Sequence, residues 1–304
     1  MSPISLERRI GISTLFMQSS GETLFDALDL ALDAGWTAIE FVPTAQSGHT
    51  GYPRTRRCVG IDLDDARPTD LDAVASALSR FPFRGLHAPQ LDLNIASRNA
   101  GIARESVRQY RQCADFALRI GARWLTFHPG CPNLSEAVGD EAFIIRKNVE
   151  FAKEIADLCE KHDLVAGYEN LGGFPSLDQM EEILDKVPSR RFGLHLDVGH
   201  TWLAPPRQPL PWVRRLGKRI VAVHVHGTYH RPDRGFENHQ PLDLDDCTDL
   251  PALLSTLNSR SFAGPFIFEI IAKDIPTYLA FAARSRDILL SLHRGTRRRS
   301  RRRT

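Results

Sequence analysis

Arg9-Ile-Gly-Ile-Ser-Thr-Leu15, Thr23-Leu-Phe-Asp-Ala-Leu-Asp-Leu-Ala-Leu-Asp-Ala34 and Thr37-Ala-Ile-Glu-Phe-Val42 follow one another near the N-terminus. The outer two are short apolar runs bounded by turn residues and read as strands. The middle one repeats its apolar residues at helical spacing and stops at Gly35. Strand, helix, strand in that order predicts a βαβ unit, because two parallel strands need a crossover of this length.

Outward from that unit the rhythm persists. A helix from Asp70 to Arg80 precedes strand Phe83-Arg-Gly-Leu-His87, and a helix from Ile102 to Ile120, closed by Gly121, precedes Arg123-Trp-Leu-Thr-Phe-His128. Helix Asp140 to His162 leads to Leu164-Val-Ala-Gly-Tyr-Glu169, and helix Leu177 to Val187 to Phe192-Gly-Leu-His-Leu-Asp197. The partly helical Arg207 to Lys218 leads to Ile220-Val-Ala-Val-His-Val-His226, helix Leu250 to Asn258 to Pro265-Phe-Ile-Phe-Glu269, and helix Pro276 to His293 ends the series. Eight strands alternating with eight helices over roughly 285 residues predict an α/β fold, a single (β/α)8 barrel spanning residues 1–293. A doubly wound open sheet is the alternative, but no Gly-x-Gly-x-x-Gly turn follows the first strand.

With 304 residues and 42% hydrophobic content the chain can bury a large core. No run of 18 apolar residues appears and the N-terminus lacks the apolar stretch of a signal peptide, so a soluble, cytoplasmic protein with no membrane partner is expected. The five cysteines are scattered without a Cys-x-x-Cys pair and read as free thiols. The formal charge is +2, but residues 294–304 hold seven arginines, so +2 − 7 leaves −5 for residues 1–293. Residues 294–304 read as a basic disordered tail. The acidic remainder disfavours, without excluding, a nucleic-acid partner.

Two loops are longer than connections require. Pro43 to about Arg67 is a candidate substrate-covering loop in which Tyr52, Arg54, Arg56 and Arg57 could meet a phosphate. Gly227 to about Asp245 is polar and carries Glu237-Asn-His239.

Metal-competent side chains sit at the strand ends: His87, His128, Glu169, Asp197 with His200, His224 and Glu269. An Asp-x-x-His after a strand is, alone, more often a loop hydrogen-bond pair. In a barrel, however, these ends converge on one mouth, the C-terminal face where such barrels do their chemistry. Several carboxylates crowded there repel one another, and a divalent cation with neutral imidazoles relieves the repulsion. His195 and His226 share the inward faces of their strands and are expected to line the pocket.

At these residues the sequence resembles the xylose isomerase-like barrels, the superfamily that joins sugar and sugar-phosphate isomerases and epimerases to endonuclease IV. The carriers are His87-Ala-Pro-Gln-Leu-Asp-Leu-Asn-Ile-Ala-Ser97, Phe127-His-Pro-Gly130, Tyr168-Glu-Asn-Leu-Gly172, Leu196-Asp-Val-Gly-His-Thr201, Val223-His-Val-His226 and Phe268-Glu269. The resemblance implies Glu169, Asp197, His224 and Glu269 as ligands of one divalent ion. It also implies a larger, endonuclease-type set that adds His87, His128, His200, Glu237 and His239. The chain departs from that larger pattern at Glu237, where aspartate is common, at Gly227, and at Asp243 and Asp245.

Two reactions fit. An isomerase or epimerase would use one Mn2+, Mg2+ or Zn2+ ion and the carboxylates Glu169 and Glu269 to move a proton on a small sugar or related polyhydroxy ketone through an enediolate, with His87, His200 and His226 against the substrate. A phosphodiesterase acting on abasic DNA would use up to three zinc ions. A dehydratase of a cyclic hydroxy-ketone is a third option with the same proton abstraction. The acidic body favours the isomerase and a small-molecule substrate. Whether copies of the chain assemble is left open.

Overall fold

The opening βαβ unit forms for local reasons. In the computed structural model, which describes residues 4–43, 57–132, 140–233, 235–243 and 247–301, β1 is Ile10–Ser13, α1 Leu24–Asp33 and β2 Ala38–Phe41. The Thr23 hydroxyl accepts from Asp26 N–H while the Asp26 carboxylate accepts from Thr23 N–H, so each end of the box satisfies a donor that the first turn leaves open. Gly35, at φ 79°, takes the left-handed conformation that ends the helix.

The same unit repeats through α2 (Pro68–Ser79), β3 (Phe83–His87), α3 (Ala100–Arg119), β4 (Trp124–Phe127), α4 (Glu141–Lys161) and β5 (Val165–Glu169). It continues through α5 (Leu177–Asp185), β6 (Phe192–Asp197), α6 (Pro209–Leu216), β7 (Ile220–Val225), α7 (Leu250–Ser259), β8 (Phe266–Phe268) and α8 (Ile275–Arg301). Every strand pairs in parallel with its sequence neighbours, and β1 closes the ring against β8, Ile10 opposite Phe266. The expected (β/α)8 barrel is therefore present.

The barrel interior is layered. At the base, Ala38, Phe83, Trp124, Ala222 and Ile267 form an apolar plug. Above it lie buried Glu40, Thr126 and His195, and above these the strand-end carboxylates and imidazoles. Outside, the main core fills the space between strands and helices. Gly85 makes the plug fit, since a methyl there would fall inside the Trp124 indole. Gly85→Ala is expected to destabilise the fold by about 1–3 kcal/mol, the usual range for overpacking, read as a lower urea midpoint at unchanged slope.

Two differences from the sequence reading have physical causes. The Gly227–Asp245 loop holds an antiparallel hairpin, Gly227–Arg231 with Gly235–Gln240, turned at Gly235 with φ 80°. Its strands are polar on both faces, so no apolar alternation betrays them. β1 ends at Ser13 because Thr14–Phe16 tighten into a 3-10 turn, with Ser13 Oγ accepting from Leu15 N–H.

In the Pro43–Arg67 segment, Tyr52, Arg54 and Arg56 lie outside the described residues, and Arg57–Cys58 pairs with Gln18–Ser19. No helix among the described residues is long and apolar enough to cross a membrane.

Candidate metal centre

The strand ends meet as the layering requires. Ligand atoms of Glu169 (last residue of β5), Asp197 (last of β6), His224 (β7) and Glu269 (just after β8) all lie within 4.8 Å of one another. His224 Nδ1 is the hub, 3.5 Å from Glu169 Oε1, 3.8 Å from Asp197 Oδ2 and 3.5 Å from Glu269 Oε2. Among the described residues it has no hydrogen-bond partner, nor does Glu269 Oε1. Donor atoms separated by about 3–3.5 Å are what metal–ligand bonds near 2.1 Å impose.

The other nitrogen of His224 settles what Nδ1 can be. Nε2 lies 2.7 Å from Glu40 Oε1. Burial alone would raise Glu40, but the neighbouring imidazoles, His224 foremost, bring it down to about 2. An ionised carboxylate only accepts, so Nε2 carries a hydrogen in either charge state of the ring. Burial opposes a charge on His224, but the surrounding carboxylates Glu269, Glu40 and Glu169 hold it well above the usual imidazole range, so without an ion Nδ1 carries a proton too. A divalent cation among the four groups would take the place of that proton and receive the Nδ1 lone pair. The donor set, one imidazole and three carboxylates, suits Mn2+, Mg2+ or Zn2+.

The carboxylates are not equivalent. Burial pushes Glu269 up to about 7 against the pull of His224. Glu169 resists the same burial penalty and stays well below the usual carboxylate range, because His224, His128 and His200 surround it. Asp197 is likewise held low, burial being outweighed by His200 and His226.

A second group shares Glu169. His87 Nε2 and His128 Nε2 lie 3.0 and 3.2 Å from Glu169 Oε2, and these three residues also bring ligand atoms within 4.8 Å. His200 Nδ1 is 3.1 Å from Glu169 Oε1, and the His200 backbone N–H donates to Asp197 Oδ1 at 2.7 Å. His226 is fully buried: Nε2 lies 3.1 Å from Asp197 Oδ1, while Nδ1 accepts the backbone N–H of His239 at 2.8 Å. His239, at φ 58°, packs its ring 4.2 Å from that of His226 and places Nδ1 3.2 Å from the Glu269 carbonyl oxygen. Glu237 alone among the anticipated residues turns away, its carboxylate accepting from Arg231 Nε at 3.0 Å across the hairpin. Alternation explains this: residues 237 and 239 share a face of a flat strand, but the left-handed turn at His239 breaks that relation.

Two residues escaped the sequence reading. Glu40, completely buried, accepts from Trp124 Nε1 at 2.6 Å and from Thr126 Oγ1 at 3.1 Å as well as from His224. Asn170 brackets Asp197, accepting its N–H at 2.8 Å and donating to its carbonyl at 2.9 Å. The signal for Glu40 was a lone carboxylate in an apolar strand, and for Asn170 its place beside Glu169.

Comparison with known proteins agrees with this architecture. Residues 28–289 match the xylose isomerase-like TIM barrel family. A solved D-tagatose 3-epimerase-like protein superposes with a TM-score of 0.73 at 21% identity, covering 96% of this chain and 99% of the other. An L-ribulose 3-epimerase does so with a TM-score of 0.73 at 18% identity, covering 96% and 97%. An uncharacterised protein of Methanocaldococcus jannaschii is 28% identical over 148 residues, 46% of this chain and 50% of that protein, so the match spans about half the length of the curated relative. The family match takes in every strand from β2 to β8 and every strand-end residue described above, and the chain belongs to the xylose isomerase-like TIM barrel family.

Proposed function

We propose that the protein is a divalent-metal-dependent isomerase or epimerase of a small sugar or related polyhydroxy ketone. The observation that carries this reading is the pair Glu169 and Glu269, each with a carboxylate oxygen 3.5 Å from His224 Nδ1. Two carboxyls beside one ion are what removal and return of a proton at a carbon require. A bound divalent ion would supply Lewis-acid polarisation of the ketose carbonyl and its neighbouring hydroxyl.

The chain's residues do the rest. Glu169 and Glu269 hold or accept the proton from either side, with Oε1 of Glu269 free of protein partners. His87, His128 and His200 present ring nitrogens beside Glu169, where substrate oxygens would lie. His226 and His239 orient Asp197 and Glu269. The likeness to structures named as sugar 3-epimerases supports the same reading.

The second group, His87, His128 and Glu169, favours one other reading, a zinc phosphodiesterase with more than one ion. Against it, Glu237 is paired with Arg231. Metal analysis of protein purified without chelator decides: one Mn2+, Mg2+ or Zn2+ per chain is expected, with deuterium uptake beside the carbonyl of D-tagatose, L-ribulose or D-psicose. Protein that takes up no divalent ion would end both readings. Three zinc ions, with abasic-site cleavage lost in His128→Ala, would replace the first by the second.

A further inference from the structure

The opposite end of the barrel carries a feature that the metal centre does not use. At the N-terminal ends of the strands lies a recess of about 850 Å3 whose wall is largely apolar and also holds Arg123, Arg190, Arg191, Lys218, Arg219 and Arg260, with Asp163 as its acidic member. The cations come from separate turns: before β4, before β6, before β7 and after α7.

Charge compensation differs between this face and the flanks. On the flanks, Arg108, Arg111 and Arg119 each bind a carboxylate at 2.5 Å and Arg215 binds one at 2.6 Å. In the recess, Arg191 lies 3.3 Å from Asp163, and Arg219 donates to the carbonyls of Leu184, Val187 and Phe192, with Asp185 acting on it from beyond ion-pair distance. Arg123, Arg190, Lys218 and Arg260 have no carboxylate at ion-pair distance among the described residues. In a body of net charge −5, this is a segregated positive face.

The last helix ends beside it. Helices of the barrel run back toward the base, and α8 arrives beside the end of α7, where Asn258 Nδ2 donates to His293 Nδ1 at 3.3 Å, two residues before Arg260. Its backbone then continues to Arg301, about 12 Å further at 1.5 Å per residue. The sequence of that extension is the arginine-rich segment.

We propose that the base of the barrel docks the phosphate backbone of a nucleic acid without reading its sequence, on the face opposite the metal centre. A single phosphate would need cations aimed at one point, whereas cations offered by four separate turns suit a repeating anion. A lipid surface would need an apolar belt, and of the exposed large apolar side chains only Ile4 lines the recess.

The test is fluorescence anisotropy of a labelled 20-residue deoxythymidine strand against the full chain over a salt series. Binding is expected at low salt, insensitive to EDTA. Arg123→Ala/Arg190→Ala/Lys218→Ala should weaken it at least tenfold and flatten the slope of log K against log salt by about 2, at roughly 0.7 per lost contact. Thermal unfolding of that variant checks that the fold is intact, and Arg111→Ala/Arg215→Ala on the flanks should bind as the parent does. The proposal is overturned if the strand does not bind, if the triple variant binds as the parent does, if EDTA or His128→Ala abolishes binding, or if phosphatidylserine vesicles bind more tightly than the strand.

Discussion

Glu269→Gln, assayed at saturating divalent ion, is expected to slow deuterium exchange beside a ketose carbonyl by about 10²–10⁴-fold, the usual contribution of a positioned general acid or base. That is roughly 3–5 kcal/mol of barrier. The expectation comes from the asymmetry of one side chain. Oε2 faces His224 Nδ1 at 3.5 Å and would be the ligand oxygen under the proposed function, while Oε1 has no partner among the described residues and would be the oxygen that carries a proton. Glutamine keeps a ligand oxygen but cannot accept the proton. Because the substitution also weakens the ion's hold, bound metal must be quantified in the same sample. Exchange within tenfold of the parent, with the ion present, would show that Glu269 is a ligand and nothing more.

Glu40→Gln carries the second large effect. The carboxylate of Glu40 accepts three hydrogen bonds, and one of them fixes which nitrogen of His224 faces the ligand cluster. Replacing a carboxylate that backs a ligating imidazole typically costs 10–100-fold in metal affinity, about 1.4–2.7 kcal/mol. Competition against a chromophoric chelator reads this without any turnover assay. Glu40→Ala should be worse in a second way, because it strands three buried donors at about 1–3 kcal/mol each and lowers the urea midpoint of metal-free protein. Equal chelator competition by the parent and Glu40→Gln would mean that His224 orients itself.

These two residues also show what a sequence can disclose. Glu269 was legible because it ends a strand, and barrel topology sends every strand end to the same mouth; the same argument found Glu169, Asp197 and His224. Glu40 was not, because it lies within a strand between Ile39 and Phe41, and its partners are 84, 86 and 184 positions away. Only the closure of the ring brings β2, β4 and β7 face to face. The hairpin was missed for a different reason: its pairing is held by backbone bonds and by Arg231 with Glu237, and neither leaves a periodic trace. Glu237 then followed the wrong expectation, since a ligand motif spaced for one backbone path does not survive a left-handed residue at His239.

The contact between His239 and His226 ties that surface ribbon to the interior. The His239 amide occupies Nδ1 of His226, which leaves Nε2 as the atom that donates to Asp197. If the ribbon lifts by one hydrogen bond, the imidazole is free to rotate, and of these two restraints on the Asp197 carboxylate only the His200 amide remains. The aim of a carboxylate at the bottom of the mouth is thus set by the seating of a hairpin at its rim. Lifting the ribbon and releasing the His226 imidazole would be one mechanical event.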